Sequence, residues 1–399
     1  MRYTDVAIVG GGLAGSIIAA SLGRAGIDAI LIDPHAHYPA DFRCEKLSSS
    51  QLAILHRTGL ADAAMRAGTH DREAWIARFG YLLQKRPSDQ YGILYDTLVN
   101  AMRDEIPPSV ERIISKVTAI ATSSERQSLT LAEGEQISAR LIVLATGLNI
   151  GLRHMLGLER RVISECHSIT VGFDMTPSGR AAFDFPALTY YPERSSDRAA
   201  YLTLFPIGEA MRANLMVYRG MDDPWLREMR HQPEAAVNAL MPRLKRITGD
   251  FRIDGPVKIR PADLYVTHGY RQHGVVLAGD AFATSCPAAG TGSDKVFTDA
   301  ERLCNIHIPK WLMSEGMSAE KIAAFYDDPV KIASDVASTA KAYQLRLISI
   351  DNGLRWRAAR WARFLARAAQ GKLKQAQHLL GLDARQANGD SQPRVRKAA

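Results

Sequence analysis

Residues 6–15, Val-Ala-Ile-Val-Gly-Gly-Gly-Leu-Ala-Gly, decide the fold of this chain. The apolar run before the glycines predicts a short buried strand over residues 4–9, and residues 13–24 predict a helix with small side chains that allow close packing. A second predicted strand, residues 28–32, ends at Asp33. This strand–helix–strand order is a βαβ unit, and its parallel strands require a sheet that other elements cover.

The glycine spacing in this unit, Gly10-x-Gly12-x-x-Gly15, is typical of a dinucleotide-binding turn. The first glycine permits the tight turn, the second lets the backbone approach a pyrophosphate, and the third lets the helix pack against the strand. The N–H groups at the start of the helix, where Leu13 and Ala14 stand, offer hydrogen bonds and a partial positive charge to the phosphates.

Asp33 lies eighteen positions beyond Gly15, at the end of the second predicted strand. A carboxylate at this place accepts hydrogen bonds from ribose hydroxyls and disfavours a 2′-phosphate, so the site is predicted to hold FAD or NAD rather than NADP. The alternative is a glycine-rich turn without a ligand, and the complete βαβ unit favours the nucleotide over it.

The composition of the chain argues against several other classes of protein. Hydrophobic residues make up 46% and charged residues 23%, as in an ordinary soluble globular enzyme, and no apolar run reaches the length of a membrane-spanning helix. The four cysteines form no C-x-x-C pair, so we predict no metal site and a cytoplasmic location. The net charge of +8 is concentrated in residues 355–399, which hold eleven Lys or Arg and two Asp or Glu. The body of the chain therefore gives no indication of nucleic-acid binding.

Residues 279–300 favour FAD over NAD. Gly279-Asp280-Ala281 follows a predicted strand and precedes the run Pro-Ala-Ala-Gly-Thr-Gly at residues 287–292 and Asp299-Ala300. This arrangement resembles the G-D-A…P-x-x-G-x-G…D-A signature of the para-hydroxybenzoate hydroxylase-type flavoproteins, which include aromatic hydroxylases and ubiquinone-pathway hydroxylases. The resemblance implies that Asp280, with Gly279, binds the ribityl part of FAD. It also implies that the isoalloxazine ring lies beside Pro287, Gly290, Thr291 and Gly292.

Two further segments resemble the same family. Residues 145–153 are similar to its A-D-G-x-x-S-x-V-R segment, where Gly147 and Arg153 match and Thr146 replaces the usual Asp. Residues 43–45, Arg-Cys-Glu, resemble the R-G-E that follows the second strand in many members. The resemblance implies that Arg43 contacts the cofactor.

The predicted fold is α/β: a Rossmann-like FAD-binding domain with an inserted substrate domain and a helical C-terminus. The FAD-binding domain takes residues 1–154 and 269–330, and the mostly antiparallel sheet of the substrate domain takes residues 155–268. Residues 331–399 are predicted to form C-terminal helices and a basic tail.

The resemblance implies an FAD-dependent monooxygenase that hydroxylates a small aromatic or lipid/quinone-like molecule with O2 through a flavin C4a-hydroperoxide, using electrons from NAD(P)H. Such chemistry depends on positioning and the exclusion of water, so Pro287, Gly290 and Gly292 beside the flavin are the predicted catalytic residues. Three alternatives stay open: a reductase or dehydrogenase of the same fold that saturates isoprenoid double bonds, a flavin-dependent halogenase, and a flavin-binding partner without turnover. The W-x-W-x-I-P motif usual in halogenases is absent from the sequence.

Four residues are candidates for the substrate pocket. Phe205-Pro206 ends a predicted strand, and the resemblance places such a proline near the substrate and the flavin. Tyr191 could line the pocket, and Arg212 could bind an anion or phenolate. A strand-end proline, a core tyrosine and a solvated arginine are the alternatives.

Residues 354–374 predict a basic amphipathic helix. Leu354, Trp361 and Leu365 share one face of this helix, and a second face carries arginines, namely Arg357, Arg360, Arg363 and Arg367. One interpretation is peripheral contact with the inner face of an anionic membrane. The other is a helix that packs its Trp and Leu face on the protein and leaves its arginines in solvent.

Overall fold

A computed structural model of the chain describes residues 2–379, so the predicted basic tail after them lies outside the described residues. Its strands, in chain order, are β1 (Arg2–Val9), β2 (Ala29–Asp33), β3 (Lys46–Leu47), β4 (Thr69–His70), β5 (Glu73–Arg78), β6 (Tyr81–Pro87), β7 (Tyr91–Gly92), β8 (Glu111–Ile114), β9 (Val117–Ala121), β10 (Gln127–Leu131), β11 (Gln136–Leu144), β12 (Glu159–Pro177), β13 (Ala187–Tyr191), β14 (Ala199–Ile207), β15 (Ala210–Val217), β16 (Phe251–His268) and β17 (Val275–Leu277).

The helices are α1 (Leu13–Arg24), α2 (Ser49–His56), α3 (Ala61–Ala67), α4 (Tyr95–Asp104), α5 (Gly151–Met155), α6 (Pro224–His231), α7 (Pro233–Leu240), α8 (Lys245–Thr248), α9 (Gly292–Arg302), α10 (Ile308–Leu312), α11 (Ala319–Tyr326), α12 (Pro329–Ile350) and α13 (Leu354–Leu379). Short 3-10 turns lie at Ser195–Asp197, Gly279–Ala281 and Pro287–Ala289, and a π-helical turn joins α9 to α10.

β1 lies near the centre of the first sheet, between β2 and β11, with Val6 opposite Ala29 on one side and Leu141 on the other. The strand order is β8–β2–β1–β11–β10–β9, and β17 pairs with the end of β11. The pairs around β1, and those of β8 and β17, are parallel. Val6, Ala7 and Ile8 have no exposed surface, as expected for parallel strands covered on both faces. The predicted Rossmann-like domain is confirmed.

The second sheet is mostly antiparallel, as predicted, with the strand order β16–β12–β15–β14–β13–β5–β6. Its two longest strands, β12 and β16, pair with each other through most of their length. One face packs on α6 and α7, whose side chains join a separate core around Phe173, Leu215 and Trp225. This arrangement leaves the opposite face of the sheet free to meet the first domain.

Residues 73–87 correct the predicted domain division. We predicted that they belong to the FAD-binding part, but β5 and β6 extend the second sheet. β5 lies parallel to β13, with Ala74 opposite Ala187, and Ala74, Ile76 and Ala77 are buried there. A parallel pair joins strands that are distant in sequence, so the local pattern of residues 73–87 carries no sign of its partner.

The described C-terminal region is helical, as predicted. α12 begins after Asp328, whose carboxylate accepts hydrogen bonds from the N–H groups of Val330 and Lys331 at 2.8 and 3.2 Å. α13 follows α12 and contacts both α12 and β6. Within residues 2–379, no helix has the length and apolar character that would let it cross a membrane.

Candidate functional site

The glycine-rich turn at residues 10–15, called the first turn from here on, shows why three glycines stand where they do. Gly10 has a φ of +104°, which favours glycine. A Cβ on Gly15 would lie 1.8 Å from the carbonyl oxygen of Gly10, so only glycine allows α1 to approach β1 this closely. A Cβ on Gly12 would have one neighbour within 4 Å, Tyr38 Cε2 at 3.9 Å. The space in front of Gly12 is therefore open for a bound group.

Asp33 is held in place at the end of β2. One carboxylate oxygen accepts a hydrogen bond from the N–H of Gly11 at 2.7 Å, and the other accepts one from His35 at 2.9 Å. The guanidinium of Arg103 lies 3.1 Å from the same carboxylate. The carboxylate is thus fixed beside the first turn, where a ribose hydroxyl of a nucleotide would need its acceptor.

Arg103, on α4, was missed in the sequence. Its side chain is 2% exposed and donates to the carbonyl oxygens of Gly11, at 2.6 and 2.8 Å, and of His35, at 2.7 Å. The signal was present, because Arg103 lies four residues after the buried Val99 and so shares the apolar face of α4. A charged residue at an apolar position of a helix indicates a buried partner.

The segment at residues 287–292, called the second turn, is also open. Gly290 has a φ of +66°, and a Cβ on Gly290 or Gly292 would meet no atom within 4 Å. Gln51 Nε2 donates to the carbonyl oxygen of Gly290 at 2.9 Å, which ties the second turn to α2. Thr291 is buried, with its hydroxyl 2.7 Å from that of Ser338 on α12.

A buried ion pair between Asp299 and Lys331 supports the 3-10 turn at Gly279–Ala281, which precedes the second turn in the chain. Asp299 accepts a hydrogen bond from the N–H of Gly279 at 2.9 Å, and Lys331 Nζ donates to Asp299 at 2.8 Å. Burial alone lowers the pKa of Lys331, but the neighbouring carboxylates of Asp299 and Asp335 raise it overall, so the ammonium stays charged. α12, which carries Lys331, therefore fixes the loop that holds Asp280.

The two turns meet at one cavity of about 920 Å³. Its lining includes Leu13 from the first turn, Gly290 and Gly292 from the second, and Arg43 and Asp280 between them. Residues that are far apart in sequence thus surround one space, which is the arrangement that a long dinucleotide requires.

Arg43 joins these segments directly. Its Nη1 donates to Asp280 Oδ2 at 3.0 Å, and its Nε donates to Asp41 at 2.5 Å. Burial alone lowers the pKa of Arg43, but Tyr95, Asp280 and Asp41 raise it overall, so the guanidinium stays a cation beside the cavity. The glycine turn offers open space, the start of α1 offers N–H groups, and Arg43 offers a partly buried cation. The pyrophosphate of FAD needs this chemistry, so these residues fit FAD.

The segment at residues 145–153 has a supporting place in the structure. Arg153 is 2% exposed and donates to the carbonyl oxygens of Leu148 and Ala281 at 3.1 and 3.0 Å. The hydroxyl of Thr146, which replaces the usual Asp of the family, donates a hydrogen bond to the carbonyl oxygen of Asn149 in the same loop at 3.4 Å. Arg153 therefore ties this loop to the Gly279–Ala281 turn.

Of the predicted substrate residues, two lie at the cavity and two do not. Phe205 and Tyr191 line the cavity. Pro206 and Arg212 are not among the described residues that line it. Arg212 lies 3.4 Å from Glu45 and 3.3 Å from Asp174, so its charge is already matched by two carboxylates. The predicted role of Arg212 as an anion partner is therefore corrected.

A polar face of the second sheet turns toward the cavity. We call it the cavity face, and it comprises Thr189, Tyr191, Thr203, Phe205 and Asn214. These residues come from β13, β14 and β15, where Thr189 lies opposite Thr203 and Thr203 opposite Asn214. Hydroxyl and amide groups therefore line up across neighbouring strands, next to aromatic rings.

Lys46, which the sequence did not single out, lines the cavity beside this face. Its Nζ lies 5.1 Å from the centre of the Phe205 ring and 3.7 Å from Asp71. Burial lowers the pKa of Lys46 to about 8; Asp71 opposes this shift and Arg86 adds to it. Within residues 2–379, no group of three or more His, Cys, Asp or Glu side chains is arranged to hold a metal ion.

Comparisons with known proteins agree with this geometry. Residues 3–308 match the family described as "FAD binding domain". The chain is 26% identical over 320 residues to a 3-amino-4-hydroxybenzoate 2-monooxygenase of Streptomyces platensis, covering 75% of this chain and 78% of that protein. It is 27% identical over 331 residues to the 3-demethoxyubiquinol 3-hydroxylase of Escherichia coli, covering 76% and 79%. The p-nitrophenol 4-monooxygenase of Pseudomonas putida shares the fold, with a TM-score of 0.73, 18% identity and coverage of 99% of this chain and 100% of that one.

Proposed function

The chain belongs to the FAD binding domain family of flavoprotein oxidoreductases, and we propose that it is a monooxygenase hydroxylating a small aromatic or quinone-like molecule. O2 would be the oxygen donor and NAD(P)H the electron donor. One observation carries the proposal: a single cavity is lined both by residues that fit FAD, namely Leu13, Arg43, Asp280, Gly290 and Gly292, and by the cavity face of the second sheet. A reactive flavin and an organic substrate need this proximity.

The proposed cofactor contacts follow from the two turns. Gly12, with the N–H groups of Leu13 and Ala14, would hold the pyrophosphate, and Asp33 would accept the ribose hydroxyls. Arg43 and Asp280 would bind the middle of FAD, and the second turn, with Pro287, Gly290, Thr291 and Gly292, would lie beside its ring. Bound FAD would supply the electrons that activate O2. Backbone N–H groups at the second turn and at the start of α9 would stabilise negative charge on the reduced ring.

The proposed substrate site is the cavity face together with Lys46. The hydroxyl and amide groups of Thr189, Thr203 and Asn214 suit a substrate with polar substituents, and Phe205 and Tyr191 suit its ring. Lys46 would bind an ionised hydroxyl or carboxyl group, because its only nearby carboxylate among the described residues, Asp71, lies 3.7 Å away.

The test is a turnover assay with the purified full chain. Its visible spectrum should show bound flavin, and NADH or NADPH consumption should rise when a hydroxybenzoate, an aminohydroxybenzoate or a short-chain demethoxyubiquinol is added. Product formed under isotopically labelled O2 should carry the label in a new hydroxyl group. Turnover that continues without O2 would instead identify a reductase of the same fold and overturn the proposal.

A further inference from the structure

α13 docks on the protein through one face. Phe364 packs edge-on against Phe79 with ring centres 5.4 Å apart, and the guanidinium of Arg367 lies 4.6 Å from the centre of the Tyr191 ring. A Cβ on Gly371 would lie 1.9 Å from the carbonyl oxygen of Leu83, so the helix approaches β6 closely at this glycine. These contacts fix which side of α13 faces outward.

The outward side is apolar. Leu354, Leu365 and Leu373 have 82%, 60% and 61% of their surface exposed. Trp361 lies at the margin of this side: one face of its ring stacks on Phe79 with ring centres 5.9 Å apart, and 55% of its surface is exposed. Leu354, Trp361 and Leu365 recur at helical spacing and form one stripe, with Leu373 at its edge. The sequence left open a helix with its Trp and Leu face buried and its arginines in solvent; the structure instead turns Arg360 and Arg367 toward the protein. Single exposed leucines are ordinary on protein surfaces, but a continuous stripe on one helix marks an interaction site.

The charged side chains of α13 in this span are all positive. Residues 354–373 contain five arginines and one lysine and no Asp or Glu. Arg355 and Arg357 flank the stripe and are exposed. The other basic side chains of this span are Arg360, Arg363, Arg367 and Lys372.

The charge and the apolar surface of α13 together indicate which kind of partner binds its outward side. A second copy of the chain meeting this face symmetrically would bring like charges together, which is unfavourable. A nucleic acid would match the cations but leave the leucines in water. The interface of an anionic bilayer accepts both, because leucine and tryptophan enter the boundary between headgroups and acyl chains while the cations contact the headgroups.

We propose that α13 is a membrane-surface anchor, in which Leu354, Leu365 and Leu373, together with the exposed part of Trp361, insert into the headgroup region of an anionic lipid bilayer. Arg363 of the same helix lines the large cavity, so docking would place that cavity beside the lipid surface. The proposal concerns binding of the protein to lipid and stands whether or not the proposed hydroxylation is correct.

The experiment is co-sedimentation of the full-length, FAD-loaded protein with vesicles of phosphatidylcholine mixed with phosphatidylglycerol. Vesicles of phosphatidylcholine alone serve as the comparison. We expect strong binding to the anionic vesicles that weakens as salt rises, because screening reduces the attraction of the cations. Arg357→Gln should weaken binding about fivefold, the effect of one cation at an anionic surface.

Substitutions of the apolar side chains test whether lipid binding depends on the stripe as well as on charge. Leu354→Gln with Leu365→Gln should weaken binding by at least about tenfold. Met313→Gln removes an apolar side chain that is 86% exposed elsewhere on the protein, and it should bind like the wild type. Flavin content and melting temperature should stay unchanged in all variants, which shows that they fold.

Three outcomes would overturn the proposal. One is a wild-type protein that does not sediment with anionic vesicles. Another is unchanged binding by the doubly substituted stripe variant, which would assign the lipid contact to another part of the chain. The third is a stable dimer that Leu365→Gln converts to monomer, which would assign the stripe to a second copy.

Discussion

The first turn and the cavity face are built in opposite ways. In the first turn, the geometry follows from glycines within six residues, and its acidic partner Asp33 comes from the next strand. In the cavity face, each side chain comes from a different part of β13, β14 or β15, and Lys46 joins from far away in sequence. The comparison teaches that backbone geometry encodes the cofactor site locally, whereas tertiary assembly creates the substrate site.

Substituting the glycines of the first turn should give the largest effects. Gly15→Val should prevent folding of the first domain, because its Cβ would lie 1.8 Å from the carbonyl oxygen of Gly10. Gly12→Val should keep the fold and lose FAD, because the space it fills is open in the protein alone. Circular dichroism and flavin absorbance measure the two effects. A Gly12→Val protein that retains one FAD per chain would contradict the assignment.

Substituting Arg103, which donates hydrogen bonds to the first turn, should give the next largest effect. Arg103→Leu should lower the free energy of unfolding by about 3–5 kcal/mol, because it removes the cation that faces the Asp33 carboxylate and the buried hydrogen bonds to the carbonyl oxygens of Gly11 and His35. Urea unfolding of the apoprotein measures the change. The matched control is Arg112→Leu, which removes an exposed arginine that donates to Ala36 at 3.0 Å, and it should change stability by less than about 0.5 kcal/mol. Equal effects of the two substitutions would refute the role of Arg103.

Lys46 tests the opposite side of the comparison. Its substitution should weaken substrate binding and, through loss of the ion pair with the buried Asp71, lower stability, but it should not affect FAD binding. Lys46→Met should leave FAD affinity unchanged and raise the KM for an anionic substrate about tenfold, the loss of one charged hydrogen bond. Because burial lowers the pKa of Lys46 to about 8, the ammonium is present below that pH and lost above it. The KM of the wild type should therefore rise as pH increases through about 8.

Two variants check the origin of that pH dependence. In Lys46→Met the KM should show no such rise, and Lys46→Arg should keep a low KM to higher pH, because arginine stays charged. A neutral analogue of the substrate, such as a benzyl alcohol in place of a benzoate, should show little dependence on either substitution. Loss of FAD from Lys46→Met would show that this residue belongs to the cofactor site instead.

The same contrast explains what the sequence could predict. The first turn, Asp33 and the location of the second turn were readable because each depends on glycines or on residues close in the chain. The partner of β5 was not readable, because parallel pairing between residues 73–78 and β13 leaves no local pattern. Arg212 was placed in the substrate pocket because its neighbours were unknown, and the structure gives it Glu45 and Asp174.

Only part of the arrangement of the C-terminal helix could be predicted from the sequence. Its two faces follow from the period of the sequence, but which face meets the protein depends on contacts with Phe79 and β6. Sequence periodicity defines the faces of a helix, and only packing against other elements decides which of them is buried.

The central claim is that the first and second turns hold the same FAD molecule. The most direct test is an FAD titration of the Gly292→Val apoprotein, followed by flavin fluorescence. A Cβ on Gly292 would meet no atom within 4 Å in the protein alone, so this variant should fold and melt like the wild type. We predict that its FAD affinity falls by about tenfold or more, because the valine occupies space that the flavin needs. Unchanged FAD affinity together with an unchanged flavin spectrum would contradict the claim.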